Sequence, residues 1–371
     1  MGNINGNKII NLFAAALSSL LFVVAVICTI GRINDVNGGQ SIEILASSFS
    51  MPRGRSQEST VTEKRTANSP DSASAEKSGY TNEKSQSSAE VSYTGSDEPY
   101  DDESKYSGDK LPVIEQHIGS SGYGYDNFSV KNTTDYTIDY EKLLSADLGF
   151  KISSENKSPQ VLIYHTHTTE AYLINDNGHY FTDYPFRSEN PEKSVVAVGD
   201  EIVKVLEKKG IPTVHATEIH DRTYTGSYDR SEQTVYKYME KYPDIKVTLD
   251  IHRDAIGYDD ERGKYKPVFT YNGKKAAQIM IMSGYDPDNE YGFGHWEENL
   301  TFALKLQQKA ETLYPGMTRP LYFGDFTYNM FINNGSLLIE VGTESNTLSE
   351  AKYTGNMLGN VIAQVLSENK A

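Results

Sequence analysis

From Ile9 to Ile30 the chain reads IINLFAAALSSLLFVVAVICTI, twenty-two residues without a charged side chain. A helix needs about 20 apolar residues to cross the hydrocarbon core of a bilayer, so the segment is long enough for one span. A cleaved signal peptide carries a shorter apolar region, roughly 7–15 residues, closed by a small-x-small site. Thr29-Ile30-Gly31-Arg32 supplies no such site, and Ile27 before Cys28 is not the small residue a lipoprotein signal requires. The sequence therefore predicts an uncleaved anchor over 9–30. Residues 1–8 form a short cytoplasmic tail, and the remaining chain lies on the extracytoplasmic side of the cell membrane.

The segment after the anchor is of the opposite kind. Over 34–120, Ser, Glu, Thr, Asn and Gly dominate and apolar periodicity is absent. Between Glu90 and Lys110, seven acids stand against two lysines. Such a stretch cannot bury enough apolar surface to offset its chain entropy, and like charges extend it, which predicts a disordered acidic linker. Residues 121–157 carry scattered Tyr, Ile and Leu and read as a lead-in to a folded domain over 158–371. The formal net charge of -16 argues against a nucleic-acid binder, which needs a basic footprint to neutralise phosphates. A single cysteine excludes a disulfide scaffold and a Cys-rich zinc finger. Any metal must then be held by histidines and carboxylates.

The C-terminal half alternates strands and helices. VLIY over 161–164 is a short, continuous apolar run of the buried-strand kind. The spacing of Val195, Val198, Ile202, Val205 and Leu206 predicts a helix over 194–209 with Gly210 as its C-terminal cap. A strand is expected over 212–217, and Asp229-x-x-Glu232 reads as a capping box opening a helix to about residue 242. KVTLDI over 246–251 is a further strand, and Asn272-Gly273 marks the turn of a hairpin over 268–282. Residues 296–313 are amphipathic, 336–339 read as another buried strand, and 349–367 as a closing helix. The expected fold class is α/β, a mostly parallel sheet flanked by helices.

Polar residues collect where these strands end. The first buried strand runs into His165-Thr166-His167-Thr168-Thr169-Glu170, the strand over 246–251 into His252-Arg253-Asp254, and the strand over 336–339 into Glu340. Ligands of open α/β sheets sit beyond the carboxyl ends of the strands, so three strands deliver His, His and Glu to one rim. Imidazole and carboxylate suit zinc, and a catalytic zinc keeps three protein ligands and an open position. A glutamate among Leu338, Ile339 and Val341 also needs a partner, because ionised carboxylates are rarely buried alone. His215 and His220 read as structural.

VLIYHTHTTEAY from Val161, VTLDIHRDA from Val247 and LIEVGTESN from Leu338 resemble the signature segments of the stage II sporulation protein P family, membrane-anchored cell-wall hydrolases of endospore-forming bacteria. More distantly they are similar to the zinc-dependent N-acetylmuramoyl-L-alanine amidases. The resemblance implies a zinc amidase of peptidoglycan acting in forespore engulfment at the mother-cell membrane, with cleavage of stem-peptide cross-links as a second activity. It also implies stage II sporulation proteins D and M as partners. By the same resemblance His252 is a metal ligand, Glu340 is the catalytic acid/base, and either His165 or His167 is the other histidine ligand. The wider amidases imply Glu192 as the carboxylate ligand, but Glu170, within the motif, is preferred because a residue three or five positions from the histidines can close the same site through one loop. Arg253 is expected to help stabilise an oxyanion. The rival readings are a peptidase acting only on stem peptides and a wall-binding protein without catalysis.

Overall fold

A computed structural model describes residues 90–95, 100–119, 122–153 and 155–369. The expected anchor over 9–30 and most of the expected linker over 34–120 lie outside the described residues. No helix among the described residues is long and apolar enough to cross a membrane.

In chain order the strands are β1 (Lys110–Gln116), β2 (Tyr123–Tyr125), β3 (Phe128–Asn132), β4 (Val161–Tyr164), β5 (His179–Phe181), β6 (Thr213–His215), β7 (Val247–Asp254), β8 (Lys264–Tyr271), β9 (Lys274–Ala277), β10 (Ile279–Gly284), β11 (Leu321–Gly324) and β12 (Ser336–Thr343). The helices are α1 (Tyr140–Ser145), α2 (Val195–Lys208), α3 (Ser227–Lys241), α4 (Trp296–Leu313) and α5 (Leu348–Ser367). The larger sheet has the order β2-β3-β11-β10-β12-β7-β4-β6, and the smaller β5-β1-β8-β9. The protein is α/β as expected, but its sheets are mixed rather than mostly parallel. β6, β4, β7 and β12 run parallel to one another, whereas β10 meets β12 antiparallel and β2 meets β3 antiparallel. The hairpin is the cause of the reversal. Asn272 (φ 49°) and Gly273 (φ 75°) turn β8 back into β9, the pair of positive φ angles that a tight hairpin turn demands. The chain then breaks at Gln278 and continues as β10 in the larger sheet, entering it against the direction of β12.

Alternation along β4 explains why all four of its residues are apolar. Val161 and Ile163 enter the main core with α2, α4 and α5, while Leu162 and Tyr164 pack with Val235 of α3 on the opposite face. On the main-core side, α2 and α5 approach closely at two glycines. A Cβ on Gly355 would stand 2.9 Å from the Val198 carbonyl oxygen, and one on Gly359 would stand 2.8 Å from Val205 Cβ. The end of α2 follows the reading from sequence. Gly210, at φ 73°, donates to Glu207 O and Ile211 N–H reaches Leu206 O, a Schellman closure. The start of α3 does not. Gly226 in the left-handed region is its N-cap and Asp229 lies inside the first turn, so no capping box forms there. The box forms instead at the start of α5, between Thr347 and Glu350.

β1 lies inside the expected linker, yet it pairs with β5 and β8. Upstream of it, Val91 N–H donates to Asn360 Oδ1 at 2.9 Å. Folded chain thus starts before residue 121, held by strand pairing in the smaller sheet and by the Asn360 side chain of α5. The lead-in is sheet as well, since β3 joins β11 in parallel.

Candidate active site

β4, β7 and β12 are parallel neighbours, so the residues leaving their carboxyl ends meet on one rim. Register decides which side chains share a face. Tyr164 is level with Asp250, Leu338 with Asp250, and Glu340 with His252. Residues two apart on a strand point the same way. Asp250, His252 and Glu340 therefore rise on the face covered by α3. Immediately after Glu340 the register of β12 shifts and Gly342 takes φ 67°, a bulge of the kind found beside active sites.

His252 is buried between two carboxylates. Its Nε2 faces Asp250 Oδ1 at 2.9 Å and its Nδ1 faces Glu170 Oε2 at 3.4 Å. Asp250 is fixed in turn by Thr166, whose N–H donates to Oδ1 at 2.8 Å and whose hydroxyl donates to Oδ2 at 2.6 Å. Glu170 Oε2 also accepts the Arg253 N–H at 3.1 Å, and the Glu170 backbone is bridged to Arg187. Burial disfavours the imidazolium, but Asp250 and Glu170 outweigh it and raise the His252 pKa well above the ordinary histidine range; as a metal ligand the ring would give up its Nδ1 proton. Burial likewise opposes ionisation of Glu170, and His252 and Arg253 reverse that to hold its carboxyl well below the usual range.

His167 and Glu340 complete the group. The His167 ring stands perpendicular to that of His252, with centroids 5.3 Å apart, and stacks on Tyr224 at 4.7 Å and 7°. Its Nδ1 lies 4.0 Å from Asp221 Oδ2. Burial drops its pKa to about 4, so the ring is neutral and able to act as a ligand. Glu340 Oε2 is buried and makes no hydrogen bond to a described residue. Burial first, then the nearby Asp254 and Glu170 carboxylates, lift its pKa well above the ordinary carboxyl value. Tyr228 walls the site from α3, edge-on to His167 and nearly parallel to His252 at 6.4 Å.

Two atoms each about 2.0–2.1 Å from one tetrahedral zinc lie roughly 3.3–3.4 Å apart. The 3.4 Å between Glu170 Oε2 and His252 Nδ1 matches that separation. Asp250 on the other ring nitrogen matches the outer carboxylate that orients metal-bound histidines. Glu170 and His252 thus stand at the separation of two ligands of one zinc ion, and the His167 ring is centred 5.3 Å from that of His252. A second carboxylate group does not fit a zinc ion. Glu115, Asp176 and Glu350 converge, but the buried Lys266 ammonium sits among them at 2.8, 2.6 and 2.9 Å. That cluster is already neutralised by a cation.

Three expected site residues are placed elsewhere. His165 continues the alternation of β4 toward α2, where Nδ1 meets Ile251 O and Nε2 meets His215 Nε2, each at 2.8 Å. Arg253 donates to the carbonyl oxygens of Ala171 and Phe186 at 3.2 and 2.8 Å. It clamps the segment that carries Glu170, and its side chain is spent on the backbone rather than offered to an oxyanion. Glu192 is exposed in a 3-10 turn over Pro191–Lys193. Asp250, Asp221, Tyr224 and Tyr228 were not singled out from the sequence. For Asp250 the signal was present, two residues before His252 on one strand; the others come from loops and a helix start that only the fold brings in.

The stage II sporulation protein P family (SpoIIP) matches residues 33–363. Stage II sporulation protein P of Bacillus subtilis (strain 168) is 31% identical over 217 residues, 55% of this chain and 50% of that protein. The chain thus spans half the length of that curated relative. Among solved structures, the CwlD amidase from Clostridioides difficile, in complex with the GerS lipoprotein, aligns at 11% identity over 56% of this chain and 99% of that one, with a TM-score of 0.35. An N-acetylmuramoyl-L-alanine amidase from Clostridium difficile 630 aligns at 19% identity over 57% and 97% of the chains, with a TM-score of 0.33. TM-scores of this size establish no shared fold, and the assignment rests on the family match. The chain belongs to the stage II sporulation protein P family.

Proposed function

We propose that this chain is a membrane-anchored, zinc-dependent hydrolase of peptidoglycan that works in sporulation, cutting the amide between the N-acetylmuramic lactyl group and the L-Ala of the stem peptide. The observation that carries the reading is the site itself: Glu170 Oε2 stands 3.4 Å from His252 Nδ1, with Glu340 in register beside His252. His167, Glu170 and His252 would hold the ion. When bound, zinc lowers the pKa of water toward neutrality and polarises a carbonyl. The chain's own residues do the rest. Asp250 faces His252 Nε2 and fixes which ring nitrogen faces the donor set. Glu340, in register beside His252, takes a proton from the attacking water as the carboxylate and returns it to the departing amide nitrogen, general acid-base work that typically contributes 10²–10⁴-fold. Tyr224 stacks on His167, and Tyr228 lies nearly parallel to the His252 ring.

By resemblance to the family, the proposal extends to cross-link cleavage, to action at the mother-cell membrane during engulfment, and to stage II sporulation proteins D and M as partners. The apolar run over 9–30 supplies the anchor. The test is mass spectrometry of purified peptidoglycan digested by the full chain in detergent, with and without a chelator. Glycan strands stripped of peptide, formed only without chelator, are the expected product. Shortened stems on intact glycan would replace the amidase reading with a peptidase one.

A further inference from the structure

Arg187 stands at the mouth of this site. Its backbone is bridged to Glu170, and the neighbouring Ser188 N–H donates to Thr169 O at 2.7 Å. Its Nη1 donates to Asp221 Oδ2 at 2.5 Å. The Asp221 side chain is wholly buried while that of Arg187 remains 42% exposed. Asp221 also accepts the Thr169 hydroxyl at 2.7 Å, so the anchor is itself held in place. A guanidinium has five N–H donors in a rigid fork. Nε and Nη2 make no hydrogen bond to a described residue, and together they form an edge that pairs bidentately with a carboxylate.

The guanidinium carbon lies 5.7 Å from the centre of the Tyr224 ring, which stacks on His167 at 4.7 Å. It is therefore within about 10 Å of the His167 ring. An extended peptide advances roughly 3.3–3.6 Å per residue, so a group one or two residues beyond a bond cut at the site comes within its reach. Other arginines near the rim are committed: Arg222 is forked onto Glu189 at 2.9 and 3.0 Å, and Arg253 holds backbone carbonyls. With Glu170, Asp250, Asp254 and Glu340 in the site and a net charge of -16, an anionic substrate needs one such cation to enter.

We infer that the Nε/Nη2 edge of Arg187 binds a free carboxylate of the stem peptide, one or two residues from the amide that is cut. The inference rests on the amidase reading above. In that substrate the residue after L-Ala is a glutamate joined through its side chain, which leaves its α-carboxylate to pair. Asp221 pre-orients the fork, so little freedom is lost on binding.

The experiment compares kcat and KM of the full chain in detergent on two zinc-loaded assays, one with a synthetic muramoyl peptide bearing the free α-carboxylate and one with its carboxamide. Amidation is expected to lower wild-type kcat/KM about tenfold to a hundredfold, mainly through KM, the size of a lost charge-assisted pair. Arg187→Gln is expected to cut both substrates with equal kcat/KM, the preference for the free acid being lost. Equal cutting of both substrates by wild type overturns the inference, as does undiminished preference for the free acid in Arg187→Gln. If Arg187→Gln fails to fold, Arg187→Lys decides: it offers Asp221 a cation without the fork, and wild-type discrimination in it overturns the inference. A wild-type protein that releases peptide from neither substrate overturns the amidase reading, and the carboxylate inference falls with it.

Discussion

Asp250→Asn isolates the charge that orients His252. The side chain is fully buried, held by the Thr166 N–H and hydroxyl and facing His252 Nε2 and the Tyr164 hydroxyl. An asparagine can keep its oxygen at the Oδ1 position, still accepting from the Thr166 N–H and facing His252 Nε2. Its amide nitrogen then faces the Thr166 hydroxyl, which can turn to accept. Shape and most hydrogen bonds survive; the negative charge does not. Outer partners of ligating histidines are worth about 10–100-fold in metal affinity, or about 1.4–2.7 kcal/mol. The assay is competition for zinc against a chelator of known affinity, with thermal melting alongside to confirm the fold. Zinc affinity down by about tenfold or more with a near-normal melt is the expected result. Asp250→Ala should behave differently, because it leaves buried donors unsatisfied at about 1–3 kcal/mol each and destabilises the fold directly. Asp250→Asn with zinc affinity and hydrolysis both unchanged would refute the role of Asp250 and weaken that of His252.

Glu340→Gln should retain zinc and lose at least about a hundredfold in hydrolysis; a variant purified without zinc would make Glu340 a ligand instead. His252→Ala should lose both zinc and activity, while His165→Gln should keep its zinc, and the opposite pattern in a zinc assay would reverse their placement. Burial and the neighbouring His215 depress the His165 pKa to about 3 from an ordinary 6.5. The stability this contributes is complete above pH 6.5 and is lost as pH falls toward 3, at up to about 1.4 kcal/mol per pH unit. Denaturant midpoints between pH 6 and 4 should therefore fall less steeply in His165→Gln; parallel slopes would count against a neutral buried ring. Lys266→Met should destabilise the fold by about 3–5 kcal/mol, since it strands Glu350 among carboxylates, and a chemical melt within 1 kcal/mol of wild type would contradict that.

Local pattern carried the helices and the strands with two buried faces. The apolar spacing of 296–313 coincides with α4, and VLIY with β4. Strand direction was not legible, because an apolar run reads alike whichever way it enters a sheet; β10 reverses only because the hairpin before it changes sheets at Gln278. β1 escaped because backbone pairing to β8, not its own periodicity, makes it a strand. That His252, Glu170 and Glu340 meet at one rim was legible from three strand ends. Which of His165 and His167 turns toward that rim was not, since it depends on carrying the alternation of β4 past its last hydrogen-bonded residue. Arg253 misled for a related reason. Its side chain turns to the Ala171 and Phe186 carbonyls, and that segment is remote from it in sequence. Arg187, Asp221 and Tyr224 sit on loops with no period to read.

Zinc-edge absorption spectroscopy of the purified full chain tests the central claim most directly. His167, Glu170 and His252 as ligands give two imidazole nitrogens with oxygen neighbours, all at about 2.0–2.1 Å. That is the expected spectrum, with one imidazole disappearing in His167→Ala and none in His165→Ala. A zinc with three imidazoles, a zinc whose spectrum changes in His165→Ala but not in His167→Ala, or a fully active chain that retains no zinc would contradict it.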